Sequence, residues 1–153
     1  MIPRRATPAD LDAIVALQHA AYAWNRERLG VEPLPLQADY AQILATMEVW
    51  LADSDAGDHL DGVLILNSRA DDMLIWSVAT DPDRQGLSIG RSLLHFAETR
   101  ANAIGRDTMR LYTGSKLTER VQWYERHGYE TERIEEMSDR SVTHMVKRLN
   151  SAA

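Results

Sequence analysis

Apolar positions along the chain change period repeatedly, and each change marks an element. Leu11, Ile14, Val15 and Leu17 recur at helical spacing behind Thr7-Pro8-Ala9-Asp10. Thr7 suits an N-cap, Pro8 the first helical position and Asp10 the positive helix end, so a helix is expected to about Tyr22. Before it, Ile2 to Ala6 reads as an edge strand, given Pro3. Ala23 to Gln37 loses the period and, with Gly30, Pro33 and Pro35, reads as a helix tail and then a loop. Asp39 to Glu48 regains it, with Tyr40, Ile43, Leu44 and Met47 on one face. Glu48 to Ala52 and Gly62 to Asn67 read as strands around the polar turn Asp53 to His59. Aspartates at 53, 55 and 58 raise a calcium loop, but no glutamate holds the twelfth position, so a solvated hairpin is the reading.

The stretch Leu74 to Leu94 organises the rest. It reads as a strand to Thr80, a sharp turn, and a helix carrying Leu93, Leu94, Ala97 and Ala101. Asp81 and Pro82 end the strand, because proline donates no ladder hydrogen bond and restricts its predecessor. In Gln85-Gly86-Leu87-Ser88-Ile89-Gly90, the small residues let the backbone approach a ligand and take unusual φ. The helix starts at once, so its free N–H groups face the turn, a setting suited to phosphate oxygens. A tight turn with nothing bound is the competing reading. The Walker pattern is set aside because no lysine follows the loop. The dinucleotide fingerprint is set aside because Asp107 precedes the next apolar run instead of ending it.

Gly105 caps the long helix, and a strand over Met109 to Thr113 follows. Leu117 to His127 is a helix stopped by Gly128, and Tyr129 to Glu135 and Val142 to Leu149 are the last strands. The order β-α-α-β-β-β-α-β-α-β-β gives a mixed α/β sheet in one domain over residues 1–150, with 151–153 as a disordered tail.

Two motifs carry a resemblance. Gln85 to Gly90, after Ser77-Val78-Ala79-Thr80-Asp81-Pro82, is similar to the acetyl-CoA loop of the GCN5-related N-acetyltransferases (GNAT family). That loop reads Gln/Arg-x-x-Gly-x-Gly/Ala after Val-x-Pro, and Ser88 stands where a glycine is usual. Trp123-Tyr124-Glu125-Arg126-His127-Gly128-Tyr129 is similar to the family's Leu-Tyr-x-x-x-Gly-Phe. The similarity runs in order along nearly the whole chain. It implies a mostly antiparallel sheet flanked by helices, in which the central strand and the strand after the long helix splay apart for the cofactor. It further implies acetyl-CoA as co-substrate and a primary amine, of a small molecule or a protein, as acceptor. Gln85, Gly86, Leu87, Ser88, Ile89, Gly90 and Arg91 would meet the pyrophosphate, with Arg84 a further candidate, and the backbone of Val78, Ala79 and Thr80 the pantetheine arm. Tyr124 would be the general acid, and Tyr22 and Trp24 would lie by the acceptor pocket. Packing on the core is the competing reading for those aromatic residues. The chain departs from the family at two further places: Tyr112 occupies the place of a glutamate base, and Leu117 that of an asparagine. No general base is assigned. Family members are often homodimers, although no interface is specified here.

Composition narrows the partners. The 153 residues suffice for one core. A formal net charge of −6 argues against nucleic acid or anionic membrane, and suits a cationic acceptor. Without cysteine there is no acyl-cysteine intermediate and no thiolate metal site, and no metal is expected. No apolar run reaches membrane-spanning length, and Met1-Ile2-Pro3-Arg4-Arg5 precedes no apolar stretch, so a cytoplasmic protein is expected. Acetyl transfer is thus the leading reading. A non-catalytic CoA or acyl-CoA sensor and, behind it, a nucleotide-binding α/β protein are the rivals.

Overall fold

The computed structural model describes residues 2–84 and 88–149. The expectations for Gln85, Gly86, Leu87 and the tail lie outside the described residues. Among the described residues, seven strands form one sheet: β1 (Arg4–Arg5), β2 (Glu48–Asp53), β3 (Leu60–Ser68), β4 (Met73–Thr80), β5 (Thr108–Gly114), β6 (Glu130–Glu136) and β7 (Ser141–Arg148). Their spatial order is β1-β2-β3-β4-β5-β7-β6, and every neighbouring pair is antiparallel except β4–β5. Four α-helices cover it: α1 (Leu11–Leu29), α2 (Tyr40–Thr46), α3 (Ile89–Ala103) and α4 (Thr118–Arg126). This is the mixed α/β order that the hydrophobic pattern predicts. Among the described residues, no helix is long and apolar enough to cross a membrane.

The unbroken apolar run of β3 follows from cover on both faces. Val63 and Ile65 join Ile14, Leu17 and Ile43 beneath α1 and α2, while Leu64 and Leu66 join Leu93, Leu94, Met109 and Met145 beneath α3. Alternate side chains of one strand thereby serve two cores. Gly62 lets α3 come close to β3. A Cβ there would lie 2.8 Å from Leu93 Cδ1 and 3.2 Å from the Ala79 carbonyl.

Two elements differ from expectation. The first helix continues to Leu29 instead of ending near Tyr22. Asn25 and Leu29 keep its buried face, and Arg26 and Arg28 suit its negative end. Gly30, at φ 72°, closes it with an N–H donated to the Arg26 carbonyl at 3.0 Å. The strand expected over Ile2 to Ala6 shrinks to Arg4–Arg5, because only these residues pair with β2. Arg4 is tied down by Asp10 at 2.9 Å and Asp53 at 2.6 Å.

Two stability predictions follow from these contacts. Gly62→Ala should destabilise the protein by about 1–3 kcal/mol through overpacking, seen as a melting temperature several degrees lower; an unchanged Tm would show that α3 yields freely. The Arg4 guanidinium, together with the Thr7 N–H, holds the Asp10 carboxyl at about 2 instead of 3.8. A depressed folded-state value stabilises above the unfolded value and is lost as pH falls. Asp10→Asn should therefore lower stability at neutral pH and flatten the decline between pH 3.8 and about 2; parallel acid unfolding curves would refute this.

Candidate active site

The site begins where the sheet stops being continuous. β4 and β5 pair only at Met73–Met109, Leu74–Arg110 and Ile75–Leu111. Directly beyond, Leu66 faces Ile75 while Ile65 faces Ser77, so Trp76 is an extra residue in β4, a bulge. From there the two strands border a gap, and two cavities meet in it. Tyr22, Val78 and Arg120 line both.

The larger is an open cleft of about 660 Å³. The structure brings together there Val78, Ala79, Thr80, Ser88, Ile89, Gly90 and Arg91, all the described members of the expected cofactor set. Ser88 is the only described non-glycine residue with positive φ, at φ 63° and ψ 20°. The left-handed region costs an L-residue about 1–2 kcal/mol. The hydroxyl of Ser88 in turn accepts from Arg91 Nη2 at 3.0 Å, fixing that guanidinium over the start of α3. A Cβ on Gly90 would meet only ordinary contacts, 3.6 Å from Trp123 and 3.7 Å from Thr80. Packing does not demand glycine there, and its effect is to keep the cleft floor clear. Arg84, Arg91, Arg120 and Arg126 all line the cleft; among its described residues the carboxylate is Glu119, which lies 3.4 Å from Arg28, and Asp61 stands behind Arg84 at 3.3 Å. An acidic protein has gathered cations in one place.

The other cavity, about 70 Å³, lies between α1, the gap and the segment Pro33–Pro35. Tyr124 reaches it from α4. Its ring is buried and packs edge-on against Trp123 and Tyr129, at 5.0 and 5.8 Å between centroids. Burial pushes the Tyr124 hydroxyl above its ordinary value, and the Arg120 charge opposes that rise. Arg120 Nη2 donates to Tyr124 Oη at 3.3 Å and to the Val78 carbonyl at 3.2 Å. That second bond fixes the orientation of β4. In an antiparallel ladder a residue presents its N–H and C=O to the same side, so the Val78 N–H also faces the gap. Ala79, its neighbour, points its backbone groups toward β3, where it pairs with Val63.

Tyr22 lines the cavity, its hydroxyl 2.8 Å from Ser77 Oγ, which also accepts from Gln18 Nε2 at 3.1 Å. Trp24, expected at the acceptor pocket, is instead 61% exposed on the outside of α1, with the Arg28 guanidinium 4.1 Å from its ring. Helical geometry explains this. Residues 22 and 25 share the buried face, and residue 24 falls on the opposite one. Tyr112 and Leu117, which with Ser88 depart from the family pattern, both line the cavity. Its described lining holds no carboxylate and no histidine, but it does hold Arg120 and Arg140. The acidic net charge pointed to a cationic acceptor; the charged side chains of this described lining are two arginines. The carboxylates are spent elsewhere, on surface pairs such as Arg26–Glu32 and Arg110–Glu132. Sequence reading missed Arg120 and Arg140. The available signal for Arg120 was its position one helical turn before Tyr124.

The site thus combines a split sheet, a cation-lined cleft and a helix start. The acetyltransferase (GNAT) domain family matches residues 45–131, more than half the chain. The chain belongs to this family and is by class an acyltransferase. Solved structures agree on the fold. The ribosomal-protein-S18-alanine N-acetyltransferase from Escherichia coli superposes with a TM-score of 0.79 at 17% identity, over 99% of this chain and 96% of that one. The PaiA N-acetyltransferase from Thermoplasma acidophilum, in complex with coenzyme A, gives 0.79 at 16% identity over 96% and 98%. A GNAT family acetyltransferase from Elizabethkingia anophelis, with acetyl-CoA bound, gives 0.68 at 15% over 97% of each chain. No curated protein matches the chain by sequence.

The backbone at Ser88 yields a prediction. Ser88→Gly should leave Tm unchanged or raise it, since relief of strain offsets the greater chain entropy of glycine. Ser88→Val should lower stability by about 1–2 kcal/mol, because a β-branched residue resists that conformation. Equal Tm values for the two variants would show that residue 88 is not held left-handed.

Proposed function

We propose that this protein is an acetyl-CoA-dependent N-acetyltransferase that moves the acetyl group directly to a primary amine while both substrates are bound. The observation that carries this reading is the cation-lined cleft opening, through the β4–β5 gap, onto a buried tyrosine. Arg84, Arg91 and Arg126, with the N-terminus of α3, offer charge and N–H groups to phosphate oxygens. The edge of β4 from Val78 to Thr80 has no β5 partner and can receive an extended arm as an added strand. Acetyl-CoA would supply the activated thioester.

Three tasks then fall to the protein: placing the amine, stabilising a developing oxyanion and supplying a proton to the departing sulfur. The Val78 N–H, turned toward the gap, serves the oxyanion. Tyr124 serves the sulfur. Because its oxygen accepts an N–H from Arg120, its own proton is left free to point into the site. The Arg120 charge makes that proton easier to give up than burial alone would allow. With no carboxylate or histidine among the described cavity residues, the proton of the amine leaves through water.

Two measurements decide this. Acetyl-CoA at about 100 times its Kd should add about 2.7 kcal/mol, raising Tm by several degrees, whereas ATP and NAD should not. Tyr124→Phe should lower kcat by about 100-fold or more with CoA affinity intact. Absence of a Tm shift with acetyl-CoA would dismiss the reading. Unaltered turnover in the variant would dismiss Tyr124 as the acid.

A further inference from the structure

The chemistry of the smaller cavity is unusual for a site that must take an amine. A primary amine is an ammonium ion in neutral water, and an ammonium site is ordinarily furnished with carboxylates. Here the described lining holds none, and it holds two arginines. The two are not equivalent. Arg140 is neutralised by both oxygens of Asp139, at 2.9 and 3.0 Å, and its Nη1 donates to the Glu32 carbonyl at 2.9 Å. Arg120 has no carboxylate within 4.0 Å among the described residues. Its hydrogen bonds to Val78 and Tyr124 are long, both come from Nη2, and both go to neutral oxygens. Its Nε and Nη1 have no protein acceptor among the described residues. The rings of Tyr22 and Tyr124 flank it, with centroids 5.7 and 5.8 Å away. A half-buried guanidinium with donors to spare and no counter-ion is an anion site in waiting.

Size and cover narrow the occupant. At about 10–15 Å³ for each water-sized position, the cavity of about 70 Å³ takes a group of about five to seven non-hydrogen atoms. Its outer wall, Pro33–Pro35, is tethered at two points: Arg140 donates to the neighbouring Glu32 carbonyl, and the Tyr40 hydroxyl to the Pro35 carbonyl. The remaining lining is largely apolar and aromatic, suited to a small hydrocarbon side chain.

Resting on the acetyl-transfer reading above, we infer that the acceptor is a small amine bearing its own carboxylate, of the α-amino acid class, with that carboxylate on Arg120. Because Arg120 lies at the junction of the two cavities, seating the carboxylate there brings the neighbouring amine to the gap where the Val78 N–H and Tyr124 converge. The same guanidinium disfavours a plain ammonium, so the substrate earns entry through its anion. Arg120 is thereby a specificity-determining residue as well as a partner of Tyr124.

The test compares matched acceptors: α-amino acids with small apolar side chains, their primary amides, their decarboxylated amines, and tripeptides that begin with the same residue. Thiol release from acetyl-CoA gives kcat/KM for each. The free acids should exceed the amides and amines by at least about tenfold, as for one charge-assisted contact. Arg120→Gln should bring that ratio close to one, mainly through KM. Because the readout is a ratio, a general loss of kcat from disturbing Tyr124 does not mask it. Calorimetry of free acid against amide, without any acetyl donor, decides the anion preference even if acetyl-CoA does not bind. Equal or better use of amides, amines or tripeptides would overturn the inference while leaving acetyl transfer standing. So would a ratio unaltered in Arg120→Gln, or a variant that loses only CoA affinity. Acid binding in the absence of any acetyl-CoA effect would instead uphold the anion site and remove the transferase reading.

Discussion

Everything functional in this molecule depends on three residue pairs. β4 and β5 join at Met73–Met109, Leu74–Arg110 and Ile75–Leu111, and nowhere further along. A parallel pair that continued would close the sheet and bury the backbone of Val78 in a ladder. A pair that never formed would leave α3 and α4 without a common floor. The bulge at Trp76 sets the point of divergence. It turns the strand by one residue just as its neighbour falls away. The exposed backbone, the junction between the cavities and the placement of Tyr124 all follow from that divergence.

Charge is the second organising constraint. The chain is acidic overall, yet five of its fifteen arginines, Arg84, Arg91, Arg120, Arg126 and Arg140, line the cleft and the smaller cavity, while many carboxylates are committed to pairs at the periphery. Net charge is therefore a poor guide to the site. It describes the far field, whereas recognition is decided within a few ångströms. Arg91 has an anchor on Ser88 and a place in the cleft wall.

The element order was legible because the chain obeys local rules: short apolar strand runs bounded by turns, capped helices, and glycines at 30, 105 and 128 that take positive φ where helices end. The first helix outran its expected end because Asn25-Arg26-Glu27-Arg28 looks irregular as composition. Burial alternates correctly through it all the same, and Gly30 was the stop signal to trust. The cleft wall was readable for a different reason. Its residues lie in two short sequence stretches, so a local motif brings them to one place. The smaller cavity draws on α1, β4, β5, α4 and the β6–β7 turn, and no local pattern announces such a gathering. That is why Tyr22 could be named while Arg120, Tyr112 and Arg140 acquire meaning only once the sheet is assembled, and why Trp24, two positions from Tyr22, faces the other way.

The two borders of the sheet are unlike. At one lies β1, two residues long; at the other lies β6, whose Glu130, Glu132, Glu135 and Glu136 stand in seven residues and leave Ile134 58% exposed among them. An unpaired strand invites a copy of itself, but with Glu132 held by Arg110 at 2.9 Å, a second molecule presenting this strand still brings three more carboxylates against one cation, Arg133, to the seam. Self-repulsion thus guards the hydrophobic tip of Ile134. The guard is electrostatic, not steric, so it weakens in high salt or in acid.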